Sequence, residues 1–79
     1  MNITIEFYGR LKSQFSATPI QWQSQSTLMA DIYQELCLKY NQTNESSIIK
    51  PIINDTFCDW QQKVNDKDIV GFFPPASGG

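Results

Sequence analysis

Apolar and polar positions alternate strictly over residues 2–8, with Ile3, Ile5 and Phe7 on one face and Thr4, Glu6 and Tyr8 on the other. A period of two is that of a half-buried strand. Gly9 ends the run, and Leu11 and Phe15, four apart, predict one helical turn within residues 10–15. A second strand follows over residues 18–23, with Ile20 and Trp22 opposite Gln21 and Gln23, so the first two strands form a hairpin. Then the period changes. Leu28, Ile32, Leu36 and Tyr40 recur at four-residue steps with Met29, Tyr33 and Cys37 beside them, an apolar stripe that predicts a helix lying on a sheet. Ser26 or Thr27 is the expected N-cap and Asn41 the expected left-handed stop. Asp31 and Glu35 fall on the outer flank of this helix. They are read as a solvated face rather than an acid–base pair, because no nucleophile or cleft is implied beside them.

Residues 41–47 are polar and are expected to be a flexible connection. Residues 48–53 predict a strand in which Pro51 must sit at the beginning or on an edge, since it has no N–H for a ladder. Asn54-Asp55 are turn residues, residues 56–60 return as a strand, and the polar stretch 61–68 leads to a last apolar strand at 69–73. Strand, strand, helix, strand, strand, strand is the order of an α+β, β-grasp (ubiquitin-like) domain, a mixed sheet packed on one main helix. The first and last strands then lie parallel in the middle, which suits the unbroken apolar run 69–73. If Phe7, Cys58, Trp60 and Phe72 face the helix, alternation turns Tyr8, Phe57 and Phe73 away from it. Three outward aromatics imply a docking patch, because contiguous exposed apolar surface usually marks an interface.

Pro74-Pro75 ends the last strand, and Ala76, Ser77, Gly78 and Gly79 carry almost no side chain. The expected organisation is a domain over residues 1–75 and a flexible tail over 76–79. From Pro74 onward the chain can span about 20 Å when extended. It offers a carboxylate at Gly79 on a strand thin enough to enter a narrow channel.

Composition narrows the partners. Six basic and eight acidic residues give a net charge of −2 with no basic run, which argues against nucleic acid. No apolar run is long enough to cross a bilayer, and Met1 leads directly into an alternating strand rather than a signal peptide, so a cytoplasmic protein is expected. Cys37 and Cys58 are then read as structural thiols, and with no histidine and no paired-cysteine motif a metal site is not expected.

The segment 65–79, NDKDIVGFFPPASGG, resembles the C-terminus of the MoaD-type ubiquitin-like sulfur carriers, the small subunits of molybdopterin synthase. The specific part is FFPPASGG; the rest of the chain matches in pattern. The resemblance implies a carrier with no catalytic side chain of its own. Its reacting group would be the Gly79 carboxylate, first adenylated and then converted to a thiocarboxylate that gives sulfur to cyclic pyranopterin monophosphate. Pro74, Pro75, Ala76, Ser77 and Gly78 would insert into the large subunit, with Tyr8, Phe57 and Phe73 as the docking residues. The implied partners are that large subunit in a heterotetramer, a ubiquitin-activating-like adenylyltransferase and a sulfur donor protein. ATP and magnesium would be used by the adenylating partner, with no cofactor bound by this chain. Lys67 stands where such carriers usually have glycine, so Asn65 or Asp66 is expected to take the strained turn conformation instead. Gly71 stands where alanine is more usual, a change expected to matter little. The alternatives are a sulfur carrier for thiazole or tRNA thiolation, a protein modifier joined through Gly79 to lysines, and a passive interaction module.

Overall fold

A computed structural model describes residues 1–75. Its elements are strand β1 (Asn2–Phe7), a one-turn helix α1 (Leu11–Gln14), β2 (Ile20–Gln23), the main helix α2 (Met29–Tyr40), β3 (Lys50–Ile53), β4 (Thr56–Phe57) and β5 (Ile69–Phe73). The five strands form one sheet in the order β2-β1-β5-β3-β4. β1 and β5 are parallel neighbours at its centre, with Ile5 opposite Val70 and Phe7 opposite Phe72; every other pairing is antiparallel. This is the ubiquitin-like β-grasp.

The inward residues of the strands and the α2 stripe make the core. Ile3, Ile5, Phe7, Leu11, Met29, Ile32, Tyr33, Leu36, Val70 and Phe72 are all buried. Phe7 stacks on Phe15 at 4.7 Å, while Tyr33 lies 5.1 Å from both Phe72 and Trp60. Each such aromatic pair adds about 0.5–1.5 kcal/mol to the burial of its surface. The Tyr33 hydroxyl accepts the Glu45 amide N–H at 3.1 Å, and burial pushes its acidity down, its pKa up to about 12. With Trp60 Nε1 donating to the Ser46 carbonyl and Asn44 Nδ2 to Gln34, the polar segment 41–47 is fastened to α2 and the core, not a free connection.

Three local expectations are corrected. Neither Ser26 nor Thr27 caps α2: the N-cap is Leu28, with no side-chain bond. The free N–H groups of Met29 and Ala30 donate instead to the Gln62 and Trp60 carbonyls, both at 2.9 Å, so the loop after β4 closes the helix end. Ser26 is drawn elsewhere, because its hydroxyl donates to the Glu35 carboxylate at 2.7 Å. At the other end Asn41 is the left-handed stop, with φ 55°.

Lys67 itself carries the positive φ, 75°, not Asn65 or Asp66. The turn is fixed from outside: Lys67 N–H donates to the Asn2 carbonyl at 2.6 Å, and Asp66 Oδ1 accepts the Asn2 N–H at 2.7 Å. Left-handed backbone costs a side-chain-bearing residue about 1–2 kcal/mol, and glycine loses about 0.5–1 kcal/mol of that advantage through its freer unfolded chain. Lys67→Gly is therefore expected to raise the unfolding midpoint by a few degrees in a thermal melt, corresponding to about 0.5–1 kcal/mol.

β3 begins at Lys50, with Ile48 held in a turn by Glu45, and β4 is only two residues long. Pro51 accounts for the short β4. Its carbonyl accepts the Cys58 N–H at 3.1 Å, but it has no N–H to return, so the ladder stops there. Pro51 is thus near the beginning of β3, as expected. The β3–β4 turn is made by Asn54 and Asp55, both with positive φ, the geometry of a tight two-residue hairpin.

Glu35 is the third correction. It is not a solvated flank residue but the joint between β2, its following loop and α2. Its carboxylate accepts from Trp22 Nε1 at 2.8 Å, Ser24 Oγ at 2.9 Å, Ser26 Oγ at 2.7 Å and the Gln25 amide at 3.1 Å. Asp31 remains exposed and separate. Burial alone would raise the Glu35 pKa; the Trp22, Ser26, Ser24 and Gln25 hydrogen bonds outweigh it and hold the group below its ordinary 4.5. A lowered folded-state pKa stabilises the fold above the ordinary glutamate value, and that contribution disappears as pH falls through the lowered one. Glu35→Gln turns one acceptor into a donor facing donors and is expected to cost about 1–3 kcal/mol at neutral pH. In denaturant titrations, the gap between Glu35→Gln and the parent should narrow as acid protonates Glu35.

Candidate functional site

Among the described residues, no layer covers the face of the sheet turned away from α2. Strand register arranges its residues in rows. Glu6, Gly71, Ile52 and Phe57 lie across β1, β5, β3 and β4, and in the next row Phe73 lies opposite Lys50, with Tyr8 beside it at the end of β1. Tyr8, Phe57 and Phe73, expected from alternation to face outward, do so together. Phe73 is the middle member, with its ring centre 5.6 Å from Tyr8 and 6.1 Å from Phe57, the latter edge-on. Phe57 is 63% exposed and Phe73 42%.

Two residues enlarge the patch beyond that expectation. Ile69, 44% exposed, and the half-buried Ile52 share its face. The apolar run of β5 therefore does not mean burial on both sides: Val70 and Phe72 enter the core, whereas Ile69 and Phe73 look outward. Gly71 is covered most closely by the Tyr8 ring, with Ile52 beside it. A Cβ there would stand 3.0 Å from Tyr8 Cε2, so alanine would press on the ring that builds the patch. Tyr8 in turn donates to Glu6 Oε1 at 3.3 Å, and burial, then the Glu6 charge, raise its pKa, keeping the phenol neutral.

The rim is mostly acidic. Glu6 and Asp55 flank Tyr8, and a groove lined by Lys50, Phe57, Cys58 and Asp59 continues from the patch. Burial, followed by the neighbouring Asp59 charge, pushes the Cys58 thiol up, so it is a protonated packing group rather than a nucleophile. Cys37 is buried and raised for the same first reason. Among the described residues, no three His, Cys, Asp or Glu side chains are grouped to hold a metal, and no helix is long and apolar enough to cross a membrane. A contiguous exposed apolar cluster with a polar rim is the kind of surface that usually marks an interface.

The described chain ends beside the same patch. Phe73 closes β5, Pro74 is buried and Pro75 is exposed. Ala76, Ser77, Gly78 and Gly79, the expected tail with its reacting carboxylate, lie outside the described residues.

A family model described as the ThiS family matches residues 5–79. The chain belongs to the ThiS family. Its members are ubiquitin-like sulfur carriers, and the match runs through the Gly78-Gly79 end. No curated protein matches the sequence. Among solved structures the chain is similar to the small archaeal modifier protein 1 of Methanosarcina acetivorans, at 18% identity and TM-score 0.78 over 99% of this chain and 96% of that one. It is similar to Urm1 of Trypanosoma brucei, at 21% identity and TM-score 0.69 over 99% and 95%. It is also similar to the Helicobacter pylori molybdopterin-converting factor, solved as a complex of its subunits 1 and 2, at 18% identity and TM-score 0.69 over the whole of both chains. At these identities the likeness establishes the fold.

In this ThiS-family domain, sequence reasoning found the aromatic trio and missed Ile52 and Ile69. The signal for Ile69 was present, since it alternates with Val70.

Proposed function

We propose that this chain is a sulfur carrier of molybdenum cofactor biosynthesis whose reacting group is the Gly79 carboxylate. What carries the reading is the ThiS-family match through residue 79, on a domain whose exposed aromatic cluster lies at the root of the tail. A carboxylate is a poor electrophile. An ATP- and magnesium-using, ubiquitin-activating-like adenylyltransferase joins it to AMP with loss of pyrophosphate. The terminal sulfur of a donor protein's persulfide attacks the acyl carbon and AMP departs. A second thiol then reduces the resulting acyl disulfide, leaving a thiocarboxylate on Gly79 and an oxidised disulfide on the donor side.

Under this reading the chain works in the cytoplasm and docks through Tyr8, Phe57 and Phe73. Pro74, Pro75, Ala76, Ser77 and Gly78 lead the thiocarboxylate into the large subunit of molybdopterin synthase, in a heterotetramer. The sulfur passes there to cyclic pyranopterin monophosphate. The H. pylori relative, solved with its partner subunit, supports such an assembly. The domain supplies docking and proximity, which together replace a bimolecular encounter with free sulfide. A second reading, a modifier joined through Gly79 to lysine amines, draws support from the likeness to a small archaeal modifier protein. Carriers for thiazole or tRNA thiolation share the same tail chemistry and differ in the acceptor.

The test is the intact mass of the chain after incubation with ATP, a persulfide donor and the host's adenylating enzyme, followed by addition of large subunit and pterin precursor. Exchange of one oxygen for sulfur at Gly79, discharged by the precursor, is expected. A charged chain that the precursor does not discharge moves the assignment to another acceptor. Isopeptide adducts without a thiocarboxylate would establish the modifier.

A further inference from the structure

β1 and β5 run side by side in the same direction, so the residues that follow them leave the sheet together. The last ladder bond of the pair runs from Tyr8 N–H to the Phe72 carbonyl at 3.2 Å. One residue later Gly9 turns away with φ +55° into α1, and Lys12 N–H closes that turn on the Gly9 carbonyl at 3.2 Å. Two residues after Phe72, Pro74 fills the space this turn leaves. A Cβ on Gly9 would stand 2.8 Å from Pro74 Cγ and 3.6 Å from Cδ. Pro74 is buried there and Pro75 is exposed.

We propose that Gly9 and Pro74 form a seat that aims the tail, making both of them positioning residues for the chemistry at Gly79. The inference rests on the sulfur-carrier reading and assigns a role to residues that lie outside the aromatic trio and away from the reacting atom. Two requirements converge on Gly9. Its φ disfavours any side chain, and a side chain would displace the proline ring. Pro74 has a φ fixed by its own ring and, standing before Pro75, a ψ held to the extended range, so burying the ring sets the direction in which Pro75 departs as well as its starting point. The ring is seated beside Phe73, the middle of the aromatic cluster. A partner that grips the cluster therefore receives a chain whose position and heading at Pro75 are already set. A tether held at its root has fewer conformations to lose when its end is placed, which raises the effective concentration of Gly79 at the reacting centre. The seat should act on the chemical step and leave docking alone.

Pro74→Gly removes the ring and frees the backbone; Gly9→Ala keeps the proline and blocks the pocket. Both are compared with the parent in ATP–pyrophosphate exchange by the adenylating enzyme, in thiocarboxylate formation and in circular-dichroism melts. Pro74→Gly, which forces no side chain into the turn, covers the case in which Gly9→Ala fails to fold. The expected result is a kcat lower by about tenfold for Pro74→Gly with KM within about twofold, since misplacement of a reacting end costs turnover rather than encounter. An unchanged kcat, or a loss confined to KM, overturns the proposal. One readout is independent of function: nuclear Overhauser contacts between the Gly9 α-protons and the Pro74 ring are expected in the parent and absent in Pro74→Gly. Their absence in the parent sinks the seat whatever the protein does. Their presence on a chain that no adenylating enzyme accepts sinks the sulfur-carrier reading, and with it the positioning role, while leaving the seat as structure.

Discussion

Deleting Gly79 is expected to abolish thiocarboxylate formation while the unfolding midpoint stays where it was. The two halves of this result have separate causes. Among the described residues the last ladder bonds involve Phe72 and Phe73 and the last buried side chain is Pro74, so the deletion is made outside the packing and pairing that hold the domain. The deletion leaves a new carboxylate on Gly78, chemically the same group but one residue, about 3.3–3.6 Å, short of its place. Reacting atoms must come within about 3–3.5 Å, and a misplacement of about 1 Å can cost roughly a hundredfold. A carboxylate displaced by a whole residue from a docked domain should therefore fall below detection in the mass assay. Adding a residue after Gly79 overshoots by the same distance and should be equally inactive. If either variant charged at the parental rate, the terminal carboxylate would not be the reacting group.

Phe73→Glu is expected to weaken binding to both the adenylating enzyme and the acceptor subunit by on the order of a hundredfold, the central-residue loss of about 2–4 kcal/mol seen at well-packed interfaces. Phe73 lies between Tyr8 and Phe57 and starts the path into the tail, so it combines the position of an anchor with continuity to the chemistry. A glutamate there also adds to a rim that already holds Glu6 and Asp55, and a desolvated unpaired carboxylate is costly. Phe57→Ala should cost less, because Phe57 is at the sheet margin on a two-residue strand. Titration calorimetry with each partner provides the measurement. A change under threefold for Phe73→Glu, with the fold intact by circular dichroism, would remove the patch from the interface.

The fold was legible because two periods, two in the strands and near four in α2, name the buried face of each element without ambiguity. The central parallel pairing of β1 with β5 and the αL stop at Asn41 followed from pattern and residue type. Failures cluster where a residue's partner is remote in sequence. Ser26 reads as a cap because serine in front of an apolar stripe usually is one; only the fold brings Glu35 close enough to take its hydroxyl. Lys67 reads as an unsuitable left-handed residue, yet two hydrogen bonds to Asn2 hold the turn in place. At the candidate site, alternation identified Tyr8, Phe57 and Phe73, while Gly9 looked like nothing more than the end of a strand. Its meaning depends on Pro74, which no local pattern places beside it.

The central pairing of the two outermost strands also dictates when the molecule can form. Thr4 bonds to Asp68 and lies opposite Ile69, so the middle of the sheet joins nearly the whole length of the described chain. Such high contact order places folding toward the slower, millisecond end for a domain of this size. During synthesis, the β1–β2 hairpin and α2 emerge with one edge of β1 unpaired and no β5 to fill it. A message cut short before Ile69 would thus yield a polypeptide with open strand edges and exposed core, a substrate for aggregation or proteolysis rather than a smaller carrier.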